Sequence, residues 1–460
     1  MEVSKLVQQP ESKTLEFKQD LSSLKPILKT VVAFANTAGG TLIVGRSSDG
    51  KVCGVPDPLS AEEQIANAIA DNIRPSLLPE IEVATVEGKE LLIIQVAHWK
   101  GPFYLKDQGI PNGVYVRLGS TSRPANSDTL QEMKRQAAHA SYDQEPLVQL
   151  KETDLDLDAI ERAFSNAGKS MNKPKMVSCG LLHEYHHHLV PTVGGLILFG
   201  KEEVRMRHVP DARVSCARFR GRDKTHILDR LEMTGTLVDA VDPTLKFIAR
   251  NTRLGAEITQ THRIDIPEYP PLATREALIN ALVHADYTIK GSHTRISIFD
   301  DRLEILNSGM LPFGFTLEDL FSGISRVRNR VIARVFRELN QMEEWGSGYQ
   351  RMIAECDAKG YLHPIWSEAA SWIQVTFFPH PATTLTSKTD VPFLSKRQQQ
   401  IVQIIRAHQS ISADQISQQI KGSISLRTLY RELATLRQLG IINPAGHGPS
   451  RTWTASSSST

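Results

Sequence analysis

The chain has 460 residues, of which 53 are basic and 51 acidic, and its net charge is +2. A hydrophobic content of 40% and a charged content of 23% exclude a disordered chain and suit a folded protein of about three domains. No apolar run approaches the roughly 20 residues that span a membrane, and the polar segment 1–24 is unlike a secretory signal. We therefore expect a cytoplasmic protein with no membrane partner. The cysteines are far apart and are expected to be buried, reduced thiols: Cys53, Cys179, Cys216 and Cys356.

The first clear pattern is Leu15-Glu16-Phe17-Lys18, in which apolar and charged residues alternate as in a half-buried strand. A helical stretch, Ile27 to Ala35, runs into Asn36-Thr37-Ala38-Gly39-Gly40, and an apolar strand follows from Thr41 to Val44. With Val114-Tyr115-Val116-Arg117-Leu118-Gly119-Ser120, these motifs resemble the Schlafen AlbA-like domain over roughly residues 10 to 135. We predict a domain of this type at residues 1–140.

This resemblance implies that the N-terminal domain binds DNA or RNA, with Lys18 among the contacts, and some members of the family cleave RNA with a carboxylate cluster. Glu11 and Glu16 match two of those carboxylates, and Asp49 is the acidic residue in the turn where the third is expected. Carboxylates at such sites hold divalent metals. The alternative is that Glu11 and Glu16 are exposed charges on a strand edge and that the domain only binds nucleic acid.

Residues 141–265 are expected to form a middle α/β domain. The segment 194–200 is apolar between glycines and predicts a buried strand, and a following run of arginines is expected to form a solvated, acid-paired face. His183-Glu184-Tyr185-His186-His187 fits the zinc-protease pattern His-Glu-x-x-His, which requires a helix to bring both imidazoles to one metal. The resemblance places this stretch in a variable loop, and we do not expect Zn²⁺ there.

The most informative stretch lies further on, between Arg275 and Tyr287. Glu276, Asn280 and His284 recur every four residues, which places them on one stripe of a helix. The intervening residues are apolar and can be buried on other faces. Because buried polar groups are costly without partners, we expect a polar group opposite the stripe. A Glu can activate water, and an Asn oxygen suits Mg²⁺. The alternative is a solvated or internally hydrogen-bonded helix face.

Two features follow in a fixed order. Two short strands around Asp300-Asp301 end in Asn307-Ser308-Gly309, and Gly346-Ser347-Gly348 leads into a helix from Tyr349 to Cys356. Glycines at a helix start allow backbone N–H groups to approach phosphate.

The region resembles the GHKL (Bergerat-fold) ATPases, in the divergent form found in bacterial RecG-related proteins and transcriptional regulators. We predict an ATP-binding α/β sandwich at residues 266–380. The resemblance implies that Glu276 activates water and that Asn280 holds Mg²⁺ on ATP. It also implies nucleotide contacts from His284, Asn307, Gly309, Gly346 and Gly348. Asn307 replaces the Asp that reads adenine in the family, which leaves nucleotide choice and hydrolysis open. A P-loop helicase is disfavoured because no Gly-x-x-x-x-Gly-Lys-Ser/Thr motif is present.

The C-terminal segment predicts a linker at residues 381–393 and a small module at residues 394–460. Helices are predicted from Ile401, from Ser412 and from Ser425 to Leu439, followed by two strands around a Gly-Pro turn. In the third helix, Leu426, Leu429, Leu433 and Leu436 are expected to face a core. The arrangement resembles a winged helix-turn-helix.

Charge supports DNA binding by this module. Residues 394–455 carry eight basic and two acidic residues, a net +6, against +2 for the whole chain. A concentrated basic excess suits phosphate binding. The expected DNA contacts are Arg427, Thr428, Arg431 and Arg451. The alternative is a winged helix that contacts protein.

Three hypotheses follow for an α/β multidomain protein of this kind. The first is a regulator in which ATP modulates DNA binding, and the second is a metal-dependent, ATP-linked nuclease that acts on RNA or DNA. The third is a scaffold whose sites no longer function. Winged-helix and GHKL proteins often form dimers, so we also expect a homo-oligomer.

Overall fold

A computed structural model describes residues 3–233, 235–258, 262–342, 347–369, 371–383, 394–408, 410–420, 424–439, 441–445 and 452–455, with the backbone alone at 257, 258, 396, 427 and 438. The described chain divides into two compact units, one of residues 3–140 with 311–316 and one containing most of the rest. Both units mix helices with sheets, which confirms the predicted fold class. No helix in these ranges combines the length and hydropathy of a membrane span.

The first unit is built on a four-stranded sheet in the order β1-β2-β5-β4, in which β1 and β2 are parallel. Its elements are α1 (Val3–Leu6), β1 (Leu15–Lys18), α2 (Leu24–Thr37), β2 (Gly40–Val44), α3 (Pro58–Asn72), β3 (Ile73–Arg74), β4 (Glu80–Val86), β5 (Lys89–Val96), β6 (Tyr104–Leu105), β7 (Tyr115–Leu118), β8 (Thr121–Pro124) and α4 (Ser127–Ala137). The buried Asn36 at the end of α2 donates to the carbonyls of Phe103 and Tyr115, at 2.8 and 3.0 Å. This side chain therefore ties α2 to the segment that begins β7.

The middle of the chain contributes helices, a hairpin and two strands of a larger sheet. Its elements are α5 (Leu157–Asn166), α6 (Lys173–Cys179), β9 (Leu182–Tyr185), β10 (His188–Pro191), α7 (Val193–Phe199), α8 (Glu202–His208), β11 (Val214–Phe219), β12 (Ile227–Met233), α9 (Val241–Arg250), β13 (Leu254–Ile258) and β14 (Arg263–Pro267).

The strand predicted at residues 194–200 is wrong, because this segment is the helix α7. Thr192 caps it, accepting a hydrogen bond from Gly195 N–H at 2.9 Å. A Cβ at position 195 would overlap the carbonyl oxygen of Leu181, so the glycine permits close packing. Every residue of α7 is buried, and a short, wholly buried apolar run does not distinguish a helix from a strand.

The His-Glu-x-x-His stretch forms an antiparallel hairpin, β9 and β10, and not a helix. His186 and His187 make its turn with φ of 46° and 64°, in the left-handed region. The spacing that brings two imidazoles together on a helix therefore does not apply here.

The second unit centres on a six-stranded sheet in the order β12-β11-β15-β16-β18-β17. The remaining elements around it are α10 (Pro271–His284), β15 (Thr294–Ile298), β16 (Leu303–Ser308), α11 (Leu317–Phe321), α12 (Arg330–Glu338), α13 (Gly348–Lys359), β17 (Ile365–Ala369) and β18 (Trp372–Phe377). Because β11 pairs parallel with β15, strands from the segment 141–265 complete the same sheet as those from 266–380. The arginine run on β11 and after it is acid-paired as expected: Arg218 with Asp300 and Arg222 with Asp301.

The described residues of the C-terminal module form three helices and a three-stranded sheet, β19-β21-β20. Its elements are α14 (Lys396–Arg406), β19 (Ile411–Ser412), α15 (Ala413–Gln419), α16 (Leu426–Gln438), β20 (Ile442–Ala445) and β21 (Thr452–Ala455). Ser412 caps α15 as predicted, and three of the four leucines of α16 are fully buried. Leu426 is 46% exposed at the first position of the helix, so its prediction as a core residue is wrong. Cys53 is likewise exposed, although the other three cysteines are buried.

A buried carboxylate holds the start of α12. Asp143, fully buried, accepts hydrogen bonds from the backbone N–H groups of Arg330, Val331 and Ile332 at 3.1, 2.7 and 2.9 Å. The first N–H groups of a helix lack partners within the helix, and a negative charge there is favourable.

Replacing this carboxylate should destabilise the second unit. Asp143→Ala leaves the buried N–H groups of Val331 and Ile332 without their acceptor, for an expected loss of roughly 1–3 kcal/mol. Asp156→Ala, which removes the single-bond cap of α5, is the matched control and should cost less. Calorimetric melting of both variants tests this, and an equal shift would contradict the role assigned to Asp143.

Candidate nucleotide site

The predicted polar stripe lies on α10, and the helix buries its apolar residues as expected. Leu278, Ile279, Leu282 and Val283 are fully buried, whereas Glu276, Asn280 and His284 keep part of their surface. The stripe is therefore the accessible side of a helix that is otherwise in the core.

The N-terminal end of α13 lies against this stripe. A Cβ at Gly348 would overlap Glu276 Oε1 and lie 3.0 Å from Glu276 Cδ, so only glycine allows this approach without displacing the carboxylate. Arg351, one turn into α13, donates from Nη2 to Glu276 Oε2 at 3.2 Å. The polar partner expected opposite the stripe is this arginine. Gly346 lies outside the described residues.

The buried carbonyls at the end of α10 are bound by the residues just before α12. Asn329, 1% exposed, donates to the carbonyls of Val283 and Ala285 at 2.9 and 2.7 Å. Its neighbour Arg328 pairs with Asp286 Oδ2 at 3.2 Å and also donates to the carbonyl of Met310. Three separate stretches of the sequence are thus joined at one place.

The loop after β16 closes on the same place. Asp286 N–H donates to the carbonyl of Ser308 at 2.8 Å, and Ser308 Oγ donates to the carbonyl of Asp286 at 3.1 Å. Gly309 has a φ of +94°, in the left-handed region, and a Cβ there would lie 2.5 Å from Asp286 Cβ. Both the backbone conformation and the lack of space therefore require glycine at this position. Asn307 is buried and donates from Nδ2 to the carbonyl of Ser308 at 3.3 Å.

Electrostatics make His284 a neutral group. Burial, reinforced by the nearby Arg328 guanidinium, lowers the pKa of His284 to about 4. Near neutral pH its ring therefore supplies one donor and one acceptor, and no charge.

The residues around Asn280 suit a metal that is held mainly by a phosphate ligand. Asn280 Nδ2 donates to Glu276 Oε1 at 3.4 Å, which leaves the amide oxygen, a hard ligand, for Mg²⁺. Within the described ranges, no group of three or more His, Cys, Asp or Glu side chains is placed to hold a metal ion by itself. This donor set fits Mg²⁺ brought in with a nucleotide, since such ions keep several ligands from water and phosphate.

The three candidate carboxylates of the N-terminal domain are associated with arginines. Glu16 is buried, so the alternative of an exposed strand-edge charge is wrong for it, and it pairs with the buried Arg117 at 2.9 Å. Lys18 Nζ also contacts Glu16, at 2.5 Å.

Arg46 lies near enough to the other two carboxylates for their charges to affect its pKa. Burial lowers the pKa of Arg46, while the charges of Glu11 and Asp49 oppose that shift. Glu11 accepts the N–H of Phe17 at 3.3 Å, and a hydrogen bond from Ser47 lowers the pKa of Asp49. The arrangement is one of carboxylates balanced by cations and does not fit a cluster of metal ligands.

Two of the four predicted DNA contacts of the C-terminal module can be located. Arg431 is exposed on α16, its side chain 75% accessible, while Thr428 Oγ1 lies 2.9 Å from Oγ of the helix cap Ser425. The side chain of Arg427 and the whole of Arg451 lie outside the described residues. Gln398 on α14 donates to Glu432 on α16 at 2.8 Å, which fixes the orientation of the exposed face.

Sequence reasoning did not identify Arg351, Asp286 or Asp143 as important residues. Asp286 stands at the end of the stretch from Arg275 to Tyr287, but nothing in the sequence shows that it pairs with Arg328. Asp143 lies in a stretch without any motif, and Arg351 lies in the helix that follows the Gly346-Ser347-Gly348 motif, but only the packing of distant segments reveals the partner of each.

Two protein-family models match parts of this chain. Residues 11–126 match the family described as "Schlafen, AlbA_2", and residues 291–377 match HATPase_c_4, described as "Putative ATP-dependent DNA helicase recG C-terminal". The second match begins after α10, so the positions of Glu276 and Asn280 are outside it. No curated protein matches the chain.

Two solved structures are similar to parts or all of the chain. One is the N-terminal domain of a "Putative ATP-dependent DNA Helicase RecG-related Protein" from Nitrosomonas europaea, with 30% identity over 27% of this chain and 95% of that one, and a TM-score of 0.22. The other is the DIP2311 protein from Corynebacterium diphtheriae, with 18% identity, 96% and 92% of the two chains covered, and a TM-score of 0.44.

The protein thus combines a Schlafen AlbA_2 domain with an HATPase_c_4 region, as the sequence resemblance predicts. At 30% identity over 95% of the solved domain, the matched part of this chain belongs to the same family as that N-terminal domain.

The contact between Gly348 and Glu276 can be tested directly. Gly348→Ala should push the Glu276 carboxylate aside and weaken binding of a fluorescent ATP analogue by roughly tenfold, equivalent to about 1.4 kcal/mol. Gly235→Ala is the matched control, because a Cβ there meets its nearest neighbour at 3.8 Å. Unchanged affinity in a folded Gly348→Ala protein would remove this glycine from the site.

Proposed function

We propose that the protein is a nucleotide-responsive regulator that binds nucleic acid, with ATP and Mg²⁺ held where α10 meets α13. The observation that carries this proposal is the close approach of Gly348 to Glu276, which brings the start of α13 against the polar stripe of α10. The match to a family described by ATP-dependent proteins supports the ligand.

In this proposal each group at the site has a distinct task. The N–H groups at the start of α13 donate hydrogen bonds to phosphate oxygens, because the N-terminus of a helix favours anions. Asn280 supplies its amide oxygen to Mg²⁺, which would neutralise phosphate charge, and Glu276 orients water. His284, Asn307 and Gly309 line the region at the end of α10 and β16, where the base would be read.

The C-terminal module is the proposed DNA-binding element. Three helices and the antiparallel strands β19, β20 and β21 support a winged helix here, and the exposure of Arg431 on α16 supports its contact with DNA. The N-terminal domain, by its family, is proposed to bind DNA or RNA without metal-dependent cleavage, since its carboxylates are balanced by arginines. Self-association stays a prediction.

Strand β17 contacts both the start of α13, in the proposed nucleotide site, and the core of the proposed DNA-binding module. Trp366 packs on Tyr349, in the first turn of α13, with ring centroids 5.3 Å apart, and Tyr349 packs on Phe321 at 5.0 Å. The preceding residue, Ile365, packs against the core of the C-terminal module, to which Phe378 also belongs. Successive residues of a strand point to opposite faces, so β17 touches both regions.

ATP should therefore change the DNA affinity of the full chain. We expect a difference of at least about fivefold with and without Mg-ATP, which is the lower end of typical coupling between sites. Trp366→Leu should abolish the difference while ATP still binds, whereas Trp372→Leu, a tryptophan outside the aromatic cluster, should preserve it. Fluorescence anisotropy with a labelled duplex measures all three proteins. A wild-type affinity that is independent of ATP would refute the regulatory proposal.

The role of α16 is tested through salt dependence. Arg431→Ala should weaken binding to mixed-sequence duplex DNA and reduce the slope of log affinity against log salt by about one. Arg406→Ala removes the same charge from α14 and should leave the slope nearly unchanged. Equal effects of the two substitutions would mean that α16 does not form the DNA contact.

A further inference from the structure

Glu276, the proposed water-activating residue, has a counter-ion that the family resemblance does not provide. Its Oε2 accepts from Arg351 Nη2 at 3.2 Å, and the Glu276 side chain is 14% exposed while that of Arg351 is 44% exposed. The neighbouring Arg275 points elsewhere and donates to the carbonyl of Gln341 at 3.2 Å. The carboxylate is therefore neutralised from α13.

The position of Arg351 directs its guanidinium toward the proposed phosphate site. Cβ atoms on a helix tilt toward the N-terminus, and long side chains continue in that direction over the preceding turn. For Arg351 the preceding turn begins at Gly348, the start of α13. Its exposed fraction leaves room for the side chain to change rotamer.

Electrostatics favour a change of partner when a triphosphate binds. A terminal phosphate beside the Glu276 carboxylate would place like charges together, which is unfavourable unless a cation lies between them. A guanidinium has five N–H donors in a planar fork and can bind phosphate oxygens through two of them. A diphosphate ends one phosphate short and would leave Arg351 on Glu276.

We propose that Arg351 is the residue that distinguishes nucleoside triphosphate from diphosphate. It pairs with Glu276 in the nucleotide-free protein and with γ-phosphate oxygens in the ATP-bound protein. This inference rests on the proposed function, because it requires that ATP binds where α10 meets α13.

The test is a comparison of ATP, a non-hydrolysable ATP analogue and ADP by isothermal titration with the full chain and Mg²⁺. Arg351→Ala should weaken both triphosphates by roughly 10- to 100-fold, the range expected when charge-assisted hydrogen bonds are lost, and should change ADP affinity less than about threefold. Arg351→Lys should restore part of the triphosphate preference. Lys359→Ala is the matched control, because it breaks a cation–carboxylate pair with Glu355, 2.9 Å long, at the other end of α13.

The outcomes separate the two proposals. Arg351→Ala protein that keeps the wild-type preference for ATP, or that loses ATP and ADP equally, overturns the role of Arg351. Wild-type protein that binds neither nucleotide overturns the proposed function, and the inference falls with it. Melting temperatures close to wild type for Arg351→Ala and Lys359→Ala show that changes in affinity are not caused by unfolding.

Discussion

The buried end of α10 is the constraint on which the rest of the second unit depends. A helix end leaves carbonyl groups without partners, and burying them is costly unless another donor reaches them. Here the Asn329 amide reaches two of these carbonyls, while Arg328 beside it binds Asp286 and the loop after β16. Asp143 then holds the N–H groups that follow Asn329. One set of polar contacts therefore fixes where α10 ends and where α12 begins, and so positions the stripe of α10 for α13.

Much of this unit follows from the sequence, for reasons that particular residues make clear. The apolar residues of α10 alternate with Glu276, Asn280 and His284 at helical spacing, so both the helix and its accessible side could be predicted. Helix α7 could not, because a fully buried run has no polar side to reveal its period. Leu426 follows the leucine repeat of α16, and the repeat predicts that it is buried. It is exposed because the first turn of the helix extends beyond the core that covers the other three leucines. Periodicity identifies a face, and only the extent of packing decides which residues on that face are covered.

Pairing between distant segments is what the sequence could not provide. Glu16 has the residue type and position of a family carboxylate, but its environment is set by Arg117, far along the chain on β7. A buried ion pair gains its energy from the partner and would leave a costly unpaired charge if that partner moved to a metal or a substrate. The Glu16 carboxylate therefore has a structural partner in the N-terminal domain, which the resemblance alone does not reveal.

The regulatory hypothesis depends on how rigidly the residues around the start of α13 are connected to the core of the C-terminal module. Protein interiors are close-packed, so a displacement at one side of a packed element must be taken up by its neighbours. On β17, Trp366 touches the aromatic group at the start of α13, and Ile365 touches the core that supports α16. A change of partner at Arg351 would act on the same first turn of α13 that carries Tyr349. The groups that would sense a terminal phosphate and the groups that would transmit its presence are thus adjacent on one helix. This adjacency favours the hypothesis of a regulator over that of a scaffold whose sites no longer function.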